Sequence, residues 1–201
     1  MERKNNTIQS NYYLRSDVVA IARSLLGKFL MTSEEGRITG GIIVETEAYS
    51  WKEKGCHAYN GKKTTRNEVM FEDGGRAYVY LCYGVHNLFN VVTNKKGFAE
   101  AVLVRAIEPV YGVAIMQSRR NIFKDTIQLT SGPGKLTCAL GIDRSFNGKN
   151  LWNDEIWIED NGRKLTSGQI QVTKRIGIDY AGTDANLPWR FMIKGNKYIS
   201  R

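Results

Sequence analysis

Val18, Ile21, Ala22, Leu25 and Leu26 recur at the i, i+3, i+4, i+7, i+8 spacing of one helix face. Ser16 or Asp17 can cap that helix and Gly27 can stop it, so the spacing predicts a helix whose apolar stripe packs on a sheet. Segments 29–32, 37–49, 77–83, 88–93 and 100–107 carry the β-branched, aromatic and alternating character of strands. Turn signals separate them at Glu35-Gly36, Tyr83-Gly84 and Asn94-Lys95-Lys96-Gly97, which favours antiparallel neighbours. Helical patterns return at 110–120 and 133–140, and short strands at 155–159 and 191–193 close the chain. The pattern predicts an α+β fold: one domain with a curved, mainly antiparallel β-sheet flanked by helices and a protruding β-hairpin at Tyr83-Gly84. No repeat or Pro- or Ser-rich linker divides it, so residues 1–15 read as an N-terminal extension and 16–201 as a single domain.

Composition narrows the classes. The 201 residues are 42% hydrophobic, enough to build a core and unlike the composition of disorder. The longest unbroken apolar run, residues 77–83, is far shorter than the roughly 18 that a membrane span needs. Charged residues at the start are followed by no apolar h-region, which argues against a secretory signal and for a cytoplasmic protein. Cys56, Cys82 and Cys138 are odd in number and widely spaced, so they read as reduced thiols. With His57 and His86 as the two histidines and no CxxC or HExxH, the sequence points away from a dedicated transition-metal site. Lys and Arg number 29 against 20 Asp and Glu, and the surplus of nine fits a polyanionic partner without proving one.

Candidate chemistry begins at Val44-Glu45-Thr46-Glu47-Ala48-Tyr49. Strand alternation puts Glu45, Glu47 and Tyr49 on one face, and Val44, Thr46 and Ala48 on the other. A half-exposed strand with a polar side would show the same pattern; the hydrophobic lead-in and the Tyr suggest instead a cleft. A Glu in a cleft can serve as a general base. Thirty residues on, Tyr78 and Tyr80 share a strand face, and Tyr83 stands beside Gly84 where the chain turns. Tyrosine is also an ordinary strand former, but at a hairpin tip it has little core to fill.

These residues occur with His57-Ala58-Tyr59, Thr64-Thr65-Arg66-Asn67, Met70-Phe71, Asn90-Val91, Val104-Arg105-Ala106, Ser131-Gly132-Pro133 and Pro188-Trp189-Arg190-Phe191. In this order and spacing, from about Ser16 to the C-terminus, the chain resembles the alkyladenine (3-methyladenine) DNA glycosylase family. The resemblance implies a monofunctional enzyme of base excision repair that flips alkylated or deaminated purines out of duplex DNA and hydrolyses the N-glycosidic bond with water. Glu47 matches the general base, and Arg105 a residue that holds Glu47 and the catalytic water. Tyr49, His57 and Tyr80 match the stacking residues of the base pocket, and Asn90 one that crowds the 2-amino group of guanine. Tyr83 matches the intercalating wedge, while Thr64, Arg66 and the backbone near Met70 match phosphate contacts, with Lys62, Lys63 and Lys135 adding charge.

Glu45 is left as a structural neighbour of the base. The resemblance further implies no metal or organic cofactor, damaged double-stranded DNA as partner, a monomer, no obligate protein partner and no membrane. Ser131 reads as the N-cap of a helix with Pro133 near its first position, a plausible phosphate seat, and the GPGK run lacks the spacing of a Walker loop. Several positions depart from the family's habit: Val85-His86-Asn87 stands where Met and aromatic residues are usual, and Thr65 where Pro is. From the residues alone two other classes stay open, a non-catalytic nucleic-acid-binding module and a carboxylate-pair glycoside hydrolase acting on a free sugar.

Overall fold

The structure, a computed structural model, describes residues 6–124 and 126–200; the first five residues of the expected N-terminal extension lie outside them. In chain order the elements are α1 (Ser10–Tyr13), α2 (Val18–Leu25), β1 (Phe29–Glu34), β2 (Arg37–Ser50), β3 (Ala77–Cys82), β4 (His86–Thr93) and β5 (Glu100–Tyr111). There follow α3 (Val113–Arg120), α4 (Ile127–Thr130), α5 (Pro133–Leu140), β6 (Ile156–Glu159), β7 (Ile170–Thr173) and β8 (Arg190–Ile193), with short 3₁₀ turns between. Every strand pairing is antiparallel, in the order β3-β4-β5-β2-β1-β6, with β8 joining β2 to β7. This is the α+β single-sheet architecture that the hydrophobic pattern predicts.

Strand β2 is the spine. Its first part pairs with β1 and Glu45–Glu47 with β8, while β5 runs along its other edge from Gly40 to Ser50. Both edges of the Glu45–Glu47 stretch are therefore occupied. Close approach is needed to hold this packing: a Cβ on Gly41 would collide with the Glu108 carbonyl of β5, and the β2/β5 register shifts beside it.

The two faces of the sheet do different work. Val44, Ala48, Val79, Phe89, Val91, Val102 and Val104 pack with Ile21, Leu25 and Leu136 of α2 and α5 into the main core. Asp17 caps α2 by accepting from the Ala20 N–H at 2.9 Å, so of the two candidate caps it is the one used. The opposite face carries Tyr78, Val92 and Ala101, which pack with Cys56, Ala58 and Met70 of the segment after β2. From Val44 to Tyr49 the even positions of β2 thus look at the helices and the odd ones at the second face, while Ile43, beside a register shift, still joins the main core.

Several details depart from the sequence pattern, the short helices α1 and α4 among them. The helix expected from residue 110 begins at Val113, because β5 continues through Val110 and Tyr111, the latter still paired with Gly40, until Gly112 turns with φ 66°. The N-cap of α5 is Gly132 and not Ser131; Ser131 is buried in a bridge to Ala106. Strand β7 has no counterpart in the expected elements: Ile170-Gln171-Val172-Thr173 alternates apolar and polar, but over only four residues, all half or fully exposed.

Candidate active site

A cavity of about 480 Å³ opens on the second face of the sheet. Its wall includes Tyr49, His57, Arg66, Met70, Tyr80, Tyr83, Asn90 and Arg105, eight of the ten residues singled out in the sequence. They come from β2, β3, β4, β5 and the intervening segments, and sheet pairing assembles them: Tyr78 lies opposite Asn90, and Asn90 opposite Leu103. Thr64 does not line the wall; it is exposed, and its N–H donates to Asn67 Oδ1 at 2.7 Å.

Glu47 is wholly buried immediately behind this wall. Its Oε2 accepts from the Tyr49 hydroxyl at 2.7 Å and from Arg105 Nη1 at 3.3 Å, and its Oε1 accepts from the Ile176 N–H at 2.9 Å. All three donors belong to residues that line the cavity. Burial, with the Glu47 carboxylate beside it, holds the Tyr49 hydroxyl well above its ordinary pKa, so Tyr49 stays a donor. Glu45 is equally buried but is turned to another task. It accepts from Arg105 Nε at 3.0 Å, Arg190 Nε at 2.7 Å, Ser200 N–H at 2.6 Å and Ser200 Oγ at 2.8 Å. Of those donors, Arg105 alone touches the cavity.

The aromatic wall is tightly interlocked. His57 meets Tyr80 edge-on with ring centroids 4.7 Å apart, and its Nδ1 lies 2.9 Å from the Tyr78 hydroxyl. Burial, then the nearby Arg66 charge, pushes the His57 pKa down to about 4, so the ring is neutral at neutral pH. Arg66, exposed on its other side, lays its guanidinium over the Tyr80 ring at 4.7 Å. Asn90 is buried and donates to the Tyr78 carbonyl at 3.1 Å. Met70 buries its side chain, and its N–H donates to the Asn67 carbonyl at 2.9 Å.

At the rim Tyr83 is 91% exposed. It occupies the left-handed region (φ 50°) with Gly84 after it (φ 70°), and the Val85 N–H closes the turn on the Cys82 carbonyl at 3.1 Å. That is the positive-φ pair a tight hairpin demands. Behind the hairpin, His86 packs against Gly134 at the start of α5, and Lys135 donates to Gln128.

Several groups at this site carry no local sequence signal. Ser200 and Arg190 fasten Glu45, Ile176 donates to Glu47, and a buried Arg175–Glu53 pair lies behind Tyr49. Most lie well over a hundred residues from β2, and no local spacing links them to it. Arg190 stood inside a quoted motif without a role.

A buried carboxylate backed by guanidinium, facing an aromatic cavity in a basic protein, suits hydrolysis of a bond to a planar base. A family model described as methylpurine-DNA glycosylase matches residues 12–197, and its members are hydrolases that cleave N-glycosyl bonds in damaged DNA. The chain belongs to this methylpurine-DNA glycosylase family, and so to DNA repair. Relatives named "Putative 3-methyladenine DNA glycosylase" agree with it over nearly their full lengths. That of Carboxydothermus hydrogenoformans is 48% identical over 94% of this chain and 96% of its own. That of Chlamydia felis is 46% identical over 94% and 97%, and that of Clostridium acetobutylicum 44% over 94% and 95%. Membership sets aside the non-catalytic binding module and the free-sugar hydrolase. No helix among the described residues is long and apolar enough to cross a membrane.

Proposed function

We propose that the enzyme extrudes a methylated or deaminated purine, 3-methyladenine among them, from duplex DNA into the cavity and hydrolyses its N-glycosidic bond with water activated by Glu47. The observation that carries this reading is the setting of Glu47: every donor on its carboxylate is itself part of the cavity wall. Hydrolysis at C1′ passes through an oxocarbenium-like sugar, which an adjacent carboxylate stabilises while it takes a proton from the incoming water. The Arg105–Glu47 contact, at 3.3 Å the longest of the three, is where a water can be taken between guanidinium and carboxylate. Glu45, ion-paired to Arg105 and Arg190, holds that guanidinium from behind.

Tyr49, His57 and Tyr80 grip the flipped base by its faces, worth about 1–3 kcal/mol per stacked base. A neutral His57 puts no positive charge against a cationic alkylpurine, and electron-rich tyrosine rings favour one. Asn90, anchored on the Tyr78 carbonyl, restricts the space for a 2-amino group. Tyr83 fills the gap left in the duplex, and Thr64, Arg66 and the chain near Met70 face the phosphates.

Glu47→Gln tests the chemistry. It is expected to retain lesion-duplex binding and to lower single-turnover excision by about 10²–10⁴-fold, the range for loss of a general base. Excision near the wild-type rate would refute the assignment, and such excision together with a loss in Glu45→Gln would move the role to Glu45.

A further inference from the structure

Outside the Glu45–Glu47–Arg105 cluster, a second ion pair is almost wholly buried. Arg175, two residues beyond β7, meets Glu53, in the segment after β2, with two nitrogen–oxygen distances of 2.7 Å. Its Nη1 also donates to the Ala48 carbonyl at 2.9 Å, and its Nη2 to the Asp184 carbonyl at 3.1 Å. The guanidinium lies against two rings, 4.8 Å from the centroid of Tyr49 and 5.3 Å from that of Trp189. Glu53 Oε2 in turn accepts from the Gly55 N–H at 2.7 Å. One side chain therefore ties together the end of β2, the segment that carries His57, and the segment 174–187.

The residue after Arg175 is Ile176, whose N–H lies on Glu47 Oε1. The Tyr49 ring that Arg175 covers carries the hydroxyl on Glu47 Oε2. Desolvating such a pair makes it a poor source of stability, since well-packed apolar residues of similar volume often serve as well or better. What a forked, planar cation supplies that apolar residues do not is direction.

We propose that Arg175, held by Glu53, is a positioning residue for the glycosylase reaction: it sets the Ile176 N–H and the Tyr49 hydroxyl so that the Glu47 carboxylate presents its oxygens in the orientation that activates water. The proposal rests on Glu47 as the base. Substituting Arg175 alone would strand the Glu53 charge in the interior, so the informative variant is the double Glu53→Met/Arg175→Met, which leaves no buried charge unpaired.

The double variant, Glu47→Gln and the wild type are compared by thermal melting, by duplex affinity from fluorescence anisotropy, and by single-turnover excision of 7-methylguanine at saturating enzyme. A cooperative melt, a duplex Kd within about threefold of wild type and an excision rate lower by about 10- to 100-fold are expected, as for loss of an oriented hydrogen bond to a charged group. The Ile176 amide proton, followed by NMR, should respond to Glu47→Gln in the wild-type background and lose that response in the double variant. Arg175→Lys, which keeps a charge opposite Glu53 but cannot reach its several acceptors at once, is read in the same way if the double variant does not fold.

A folded variant that excises at the wild-type rate while Glu47→Gln is inactive overturns the positioning role and leaves the base assignment standing. So does a loss confined to affinity or to the fraction of active molecules. Wild-type excision by Glu47→Gln instead removes the base assignment and the proposal with it.

Discussion

Tyr83→Ala separates folding from function. The side chain is 91% exposed, and the turn is closed by the backbone bond from Val85 to Cys82, which alanine leaves in place. Little packing is lost, so stability should stay within about 0.5 kcal/mol of wild type, the scale for surface substitutions. On duplex DNA the loss is of another kind. A ring that fills the vacated step is worth about 1–3 kcal/mol by the stacking scale, which is roughly 5- to 150-fold in the flipping equilibrium. Single-stranded substrate has no gap to fill and should be excised by the variant as by the wild type. The assay is single-turnover excision of one lesion in both contexts, with melting temperature as control. Equal losses on the two substrates would refute the wedge and place Tyr83 in the pocket; a large fall in melting temperature would mean that the turn itself was broken.

Electrostatics offers a second check. Five to seven neutralised phosphates would give log K against log salt a slope of about −4.5 to −6.3 on duplexes of any sequence, and Arg66→Ala should reduce it by about one. An unchanged slope in Arg66→Ala would mean that its guanidinium stays on the Tyr80 ring and neutralises no phosphate. His57 predicts a pH dependence of stability: unfolded, it takes up a proton near 6.5, but folded it resists down to about 4. The folded state should therefore lose up to about 3 kcal/mol as pH falls across that window, with nothing contributed above it. In chemical denaturation, His57→Asn should flatten this part of the profile, and an unchanged profile would contradict a neutral buried ring.

Much of this protein is local and therefore visible in the chain. The α2 stripe with its Asp17 cap, the alternation that sends Val44 and Ala48 to the helices and Glu45, Glu47 and Tyr49 to the other face, and the Tyr83-Gly84 turn all follow from periods and turn chemistry spanning a few residues. The alignment of motifs also singled out residues that the folded chain gathers around one cavity.

Strand alternation alone does not distinguish Glu45 from Glu47; the resemblance to the family separates them, and the structure shows how differently they are held. They share a strand face and both contact Arg105, and their settings part because Ser200 and Arg190 close on one while Ile176 and Tyr49 close on the other. The bond from Ile176, the buried Arg175–Glu53 tie and the extension of β5 through Tyr111 arise from contacts between distant segments. Such contacts are selected by the packing of the whole sheet, and spacing along the chain holds no record of them. Which donors surround each carboxylate depends on segments far apart in the chain, and only the tertiary structure assembles them.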